Sequence, residues 1–507
     1  MSTNKTIAKN TLFLYFRMMF TMLVALYTSR VILNILGVED FGIYQSVGGI
    51  VTLLSFVNGA LGAGSSRFLT FELGTGDNEK LERTFSTVLT IHIVLAAVII
   101  LIAEPIGLWL INHKLVIPEE RLDAAIFTFH VSILTSFFTI TQVPYSASII
   151  SHEKMSVYAY MSIIEVSLKL GIVFLLTIGN IDKLKLYSVL LCIVQISIAL
   201  FYRLYCVRHF SETKYKLIFD KTIMKSVLGY SGWNLFASTS IALNTQGTTI
   251  LINMFFNPSV VTARAIANQV NLAANQFVQN FRTAVNPQIV KQYAAGNKEG
   301  SKSLLLSSTK YSFYLMLALS LPICLTAEPL LHLWLGTVPE YATIFLQLAI
   351  ITSLFQVFDT SFYTALYAKG RIRENALISP VIGFLVLPVS YIFFRTGSSP
   401  VVLAVVMLVF YAVLGLVVKP ILIIKIAGYT WTDIKAVFIP CLKVLLSSIV
   451  IPIGVYCYID NNNVINALLI VLLSIFSVGA FTWLLGIDSI TRIKILEFVG
   501  KKLRFKK

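Results

Sequence analysis

At 507 residues, 57% of them hydrophobic and only 13% charged, with a mean hydropathy of +0.81, the chain is too apolar for an ordinary water-soluble protein. Its formal net charge of +16 points to an anionic surface as neighbour. No polar stretch is long enough to fold as a separate catalytic domain.

A helix crosses a ~30 Å hydrocarbon core with about 20 apolar residues at 1.5 Å rise. In chain order such runs predict helices near 10–36, 42–66, 87–111, 124–150, 158–179, 184–206, 226–256, 261–287, 306–333, 341–368, 374–394, 400–424, 437–458 and 464–487. The expected fold is therefore an all-α integral membrane protein with about fourteen transmembrane helices. Lys and Arg concentrate in alternate connections, and the opposite loops hold only Lys114, Arg121, Lys183, Lys185 and Arg395. By the positive-inside tendency this predicts both termini on the cytoplasmic side. The basic tail "KKLRFKK" (501–507) then reads as a contact with anionic lipid heads rather than with nucleic acid. The polar start leads into a first helix too long for a signal-peptide core, with no cleavage site.

The chain repeats itself. "LIAEPIGLWLI" (101–111) returns as "LTAEPLLHLWLG" (325–336), and "ILTSFFTITQVPYSASII" (133–150) as "IITSLFQVFDTSFYTALY" (350–367). "GTGDNEK" (74–80) has a weaker echo in "AAGNKEG" (294–300). The matches keep their order at nearly constant spacing. They predict two parallel six-helix repeats, related by a pseudo-two-fold along the membrane normal, followed by a helix pair. The expected domains are 1–210, 211–430 and 431–507. The shared Glu-Pro pairs, Glu104-Pro105 and Glu328-Pro329, read as markers of the outer interface, with Trp109 and Trp334 in the aromatic belt.

The eighth predicted helix carries the unusual chemistry. In "RAIANQVNLAANQFVQNFRTAVN" (264–286), Arg264, Asn268, Asn271, Asn275, Gln279, Arg282 and Asn286 fall within an arc of about 80° at 100° per residue. Such a face cannot meet acyl chains. It is either a buried amide network between helices or the wall of a water-filled, positively charged cavity, where guanidinium forks suit phosphate. The matching stripe of the second helix (Tyr44, Gly48, Val51, Ser55, Gly59, Gly62, Ser66) is small and weakly polar. "GALGAG" (59–64) reads as close helix packing, since the strand and the GKS or GKT of a phosphate loop are missing.

Other intramembrane charges are few. Arg17 and Arg30 share the first helix but point about 220° apart. Glu165 and Lys169, spaced i, i+4, are either a self-neutralising pair or a cavity-lining lysine. Asp359, in the polar stripe Thr352, Gln356, Asp359, Tyr363, is the natural candidate for H⁺ or Na⁺ coupling, or a partner for an arginine. The fourth helix, with Thr135, Thr139, Gln142 and Ser146, has no such acid. The five cysteines show no pairing or metal-ligand spacing. His92 and His130 stand alone, so no resident metal, other cofactor or hydrolytic centre is expected. A membrane glycosyltransferase would need paired carboxylates at an interface, and Glu119, Glu120 and Asp123 read more simply as a solvated turn. No enzyme is expected.

The stretch "NTLFLYFRMMFTMLVALYTSRVILNILGVEDFGIYQSVGGIV" (10–51), with "LG" followed by "DFGIY", and the six-plus-six-plus-two plan resemble the polysaccharide exporter branch of the multidrug/oligosaccharidyl-lipid/polysaccharide transporter superfamily. The resemblance implies alternating access between two six-helix bundles around a V-shaped cavity. It further implies a Wzx-type flippase that moves undecaprenyl-diphosphate-linked oligosaccharide across a bacterial inner membrane for surface polysaccharide or O-antigen assembly. Its partners would be lipids and the polysaccharide polymerase machinery. By the same resemblance Arg30, Lys169, Arg264 and Arg282 inherit the diphosphate, with Asn268, Asn271, Asn275 and Gln279 as further substrate contacts. A cation-coupled multidrug exporter of the same fold is the alternative.

Overall fold

The structure, a computed structural model, describes residues 3–54, 56–152, 154–178, 181–218, 220–227, 239, 242–371, 373–459, 463–488 and 492–493. Ser55, part of the predicted seventh helix (228–238) and the basic tail lie outside these residues, as does the side chain of Arg17. All regular structure among the described residues is helical, and eleven helices are long and apolar enough to cross a membrane. The chain is a multi-pass membrane protein. It divides into two compact units, Met1–Thr262 and Ala263–Lys507.

In the first unit, α1 (Thr3–Leu54) and α2 (Phe56–Thr75) lead into α3 (Asn78–His113), α4 (Leu122–Ser151), α5 (Met155–Leu175), α6 (Lys183–His209) and α7 (Thr248–Phe255). The predicted break between the first two helices falls inside α1. There Gly37 adopts φ 79°, ψ 170°, a region open essentially to glycine. Packing follows the apolar runs, with α4 against α2, α3 and α6. Ile43, Val47, Ile111, Phe129 and Leu184 form the core at one end. That end is tied by Arg121, whose fork holds both oxygens of Asp40 (2.7 and 2.6 Å) and reaches Asp182 at 2.6 Å. His92 is fully buried, with Nδ1 2.8 Å from the Val88 carbonyl. It is a core residue.

In the second unit, the long helix α8 (Pro258–Ala294) continues into α9 (Lys298–Leu325), α10 (Ala327–Leu335), α11 (Ala342–Lys369) and α12 (Arg373–Arg395). After these come α13 (Val401–Val413), a π-helical turn (Leu414–Val418), α14 (Lys419–Ala427), α15 (Trp431–Tyr458) and α16 (Val464–Phe481). Stacked Phe313 and Phe358 (5.1 Å), with Phe438 edge-on to Phe358 at 4.9 Å, join α9, α11 and α15. Although it lies among these helices, α8 is too polar to count among the eleven apolar spans. Hydropathy alone therefore misses the helix that carries the candidate site.

The repeat is visible as shared devices in each unit. Before α3, Gly76 (φ 75°) turns the chain and Asp77 accepts the backbone N–H of Lys80 at 3.0 Å. Before α9, Gly296 (φ 80°) turns it and Asn297 accepts the N–H of Gly300 at 2.9 Å. This is the weakest of the sequence echoes, realised as the same Gly–Asx helix start. The Glu-Pro markers diverge. α3 runs straight through Pro105, and Glu104 pairs with His130 at 2.6 Å. In the second unit one helix ends at Leu325 and a new one starts at Ala327, with Pro329 in its first turn.

Candidate functional site

The polar stripe of α8 meets α11. At its start Arg264, only 7% exposed, lines a cavity of about 50 Å³ with Asn268 and Asn271 of the same helix and Thr352 and Gln356 of α11. Ala and Met residues of α13 complete the wall. The only formal charge among the lining groups is the guanidinium; the other polar groups are neutral amides and a hydroxyl. The recess is thus cationic and large enough for a few water molecules. An anionic oxygen entering it would meet a fork of donors already desolvated.

One turn further on, the stripe becomes a hydrogen-bonded network. Ser353 Oγ donates to Asn271 Oδ1 at 2.7 Å, and Asn275 Nδ2 donates to Ser353 Oγ at 2.8 Å. Asn275 Nδ2 also reaches the Asn271 carbonyl at 2.9 Å. Asn271 serves both the recess and the network, whereas Asn275 is committed to the network. Gln279 is exposed. Arg282, 6% exposed, donates to the Thr360 carbonyl and, at 3.1 Å, to Thr364 Oγ1. Its Nη1 is buried without a hydrogen-bond partner. Thr364 in turn donates to Asn286 at 3.4 Å. The stripe therefore has two parts: a recess around Arg264, and a helix-to-helix network around Asn275 and Arg282.

The candidates of the first unit are arranged differently. Arg30 is an exposed residue of α1. Lys169 Nζ sits 2.6 Å from Glu165 Oε1, which also accepts from Gln195 Nε2 at 3.0 Å. In this state Lys169 is the neutralised member of an i, i+4 pair.

Asp359 has a counter-ion that sequence reasoning missed. Lys419 Nζ lies 3.0 Å from Asp359 Oδ1, and the lysine side chain is only 3% exposed. Lys419 donates to Asn375 Oδ1 and stands over the Tyr363 ring at 5.4 Å. A signal was present: Lys419 directly follows the most apolar stretch of the chain, within the span Val401–Ala427.

The family model described as "Polysaccharide biosynthesis protein" matches residues 7–293. The chain belongs to this family. The MatE family model also matches, over residues 235–392. Among solved structures, the lipid II flippase MurJ in an inward closed conformation superposes with a TM-score of 0.70 at 13% identity, over 94% of this chain and 98% of that one. An inward-facing multidrug resistance MATE transporter of the MOP superfamily gives 0.68 at 14% identity, over 81% and 98%. A MOP superfamily transporter from Pyrococcus furiosus gives 0.58 at 17%, over 83% and 97%. At such identities the likeness is one of fold. No curated protein matches the chain. The chain thus belongs to the polysaccharide biosynthesis family, and its fold is that of the MurJ and MATE structures.

Proposed function

We propose that this transporter is a flippase for undecaprenyl-diphosphate-linked oligosaccharide in a bacterial inner membrane, with both termini cytoplasmic, serving surface polysaccharide or O-antigen assembly. The observation that carries the reading is the recess of α8 and α11, in which a buried arginine is the single charge among neutral amides. Such a wall favours an anionic, hydroxyl-rich solute over a cationic drug. The recess itself holds a few waters, so it suits one phosphoryl oxygen and not a whole sugar. Arg264, Asn268 and Asn271 are proposed to bind the diphosphate end, with Asn275, Gln279 and Arg282 completing the stripe and Arg30 and Lys169 contributing from the first half. The proposed organisation is 1–210 and 211–430 as two six-helix bundles, with 431–507 as an added hairpin and basic tail. The polymerase machinery is the expected partner downstream.

The alternative, a cation-coupled multidrug exporter, draws on the MatE match and on Asp359 as a coupling carboxylate. It is weakened by Lys419, which already neutralises that acid.

Complementation of a strain lacking its own copy tests the proposal. Arg264→Ala and Arg282→Ala should abolish surface-glycan export while the protein still reaches the membrane. Wild-type export by Arg264→Ala, at normal protein levels, overturns the diphosphate role.

A further inference from the structure

The second unit holds a charged cluster that the substrate reading does not use. Three helices converge on Lys419: α11 brings Asp359 and Tyr363, α12 brings Asn375, and α14 begins with the lysine itself. A carboxylate oxygen, an amide oxygen and an aromatic face are the groups that cage a small cation. Here the cage is filled by an ammonium on its own side chain. Asp359 Oδ1 receives no hydrogen bond of good geometry and is sealed from solvent, so the approach of Lys419 is what compensates its charge.

The backbone shows that this placement is built. The π-helical turn Leu414–Val418 immediately precedes Lys419, and such wide turns shift the register of everything after them. Within it, Gly415 packs so tightly on α11 that a Cβ there would run into the carbonyl oxygen of Phe355. The glycine lets the two helices touch, and the wide turn brings Lys419 to Asp359.

We infer that Lys419 is a tethered cation: its ammonium permanently occupies the cage formed by Asp359, Asn375 and Tyr363, so that this site takes no free monovalent metal ion unless the lysine is removed. The inference does not depend on which solute the protein carries. Arg282 also lies within Coulombic reach of Asp359, but its Nη2 donates to Thr360 and Thr364 and its Nη1 makes no hydrogen bond to the carboxylate. It therefore leaves the cage to whatever cation stands at the Lys419 position.

The test uses the purified full chain and thermal unfolding in Na⁺ against N-methylglucamine at constant ionic strength. Wild type should show no specific response to Na⁺. Lys419→Ala should unfold earlier in N-methylglucamine and recover with Na⁺ in a saturable way, as expected when an ion binds only the folded state. Adding Asp359→Asn to that variant should remove the Na⁺ response. A saturable Na⁺ stabilisation of wild type that Asp359→Asn removes overturns the inference. So does a folded Lys419→Ala protein indifferent to Na⁺. Should Lys419→Ala fail to accumulate, the doubly neutral Asp359→Asn/Lys419→Met decides, because neither charge is then stranded; its failure to accumulate overturns the inference too. None of these readouts involves glycan export, so failure here is distinguishable from failure of the diphosphate role.

Discussion

Asn275 of α8 and Ser353 of α11 share a hydrogen bond of 2.8 Å, and Ser353 passes it on to Asn271 at 2.7 Å. The pair joins the polar helix to its neighbour where hydrocarbon packing would offer nothing. Asn275→Ala and Ser353→Ala should each destabilise the protein, and a double-mutant cycle should give a coupling of about 0.6 kcal/mol, with ~1.7 as a ceiling for such bonds in membranes. Additive effects would show that the bond contributes nothing.

Arg282 tests whether shape or charge matters along the same face. Its Nη2 serves a backbone carbonyl and a hydroxyl at once, at the end of a longer, planar group whose reach a lysine's compact ammonium does not match. Arg282→Lys should therefore lose stability despite keeping its charge. Thr364→Ala should cost about 1 kcal/mol. Equal melting of Arg282→Lys and wild type would assign the residue to charge alone.

The two helix starts offer a matched pair of measurements. Asp77→Ala and Asn297→Ala each remove a cap accepting one backbone N–H, at about 1 kcal/mol apiece. The exchanges Asp77→Asn and Asn297→Asp should be nearly silent, since both side chains cap well. Thermal unfolding of the four variants checks this.

Gly37 sets the bend in α1 with a backbone geometry closed to other residues. Gly37→Ala should cost about 1–3 kcal/mol. A silent substitution would mean that the bend is made elsewhere.

Asp182 makes the first unit sensitive to acid. Arg121, together with the backbone N–H groups of Leu184 and Lys185, holds its carboxyl below the usual carboxylate range. A depressed folded-state value contributes stability above the unfolded value, near pH ~3.9, and that contribution is lost as pH falls through the folded one. Wild type should lose stability below about pH 4, and Asp182→Asn should be less stable at neutral pH with a flatter acid limb. Parallel melting curves across that window would contradict the assignment.

Much of this was legible in the sequence, for physical reasons. Apolar runs near 20 residues can do little but cross a bilayer, so an all-helical membrane fold was readable, with eleven apolar spans among the described residues where fourteen helices were expected. The break near Gly37 and the stripe of α8 were readable from glycine and from a 3.6-residue period. What stayed hidden depends on contacts between distant segments. Ser353 is an unremarkable serine until Asn271 and Asn275 flank it. Asp40 lies within α1, while Arg121 and Asp182 precede α4 and α6. The partner of Asp359 was hidden for a further reason: a regular helix through 401–427 would not predict where Lys419 points, because the π-helical turn is invisible to a fixed period.

That turn has an evolutionary consequence. Each residue advances an α-helix by about 100°, whereas a wide turn holds more residues per turn, so the face on which Lys419 falls depends on the conformation of 414–418 as well as on the side chains of the cage. On the inference drawn above, the length of that turn decides whether the counter-charge of Asp359 comes from the chain itself or from solution. An insertion or deletion there would reach the Asp359 site without touching the residues proposed to meet the substrate.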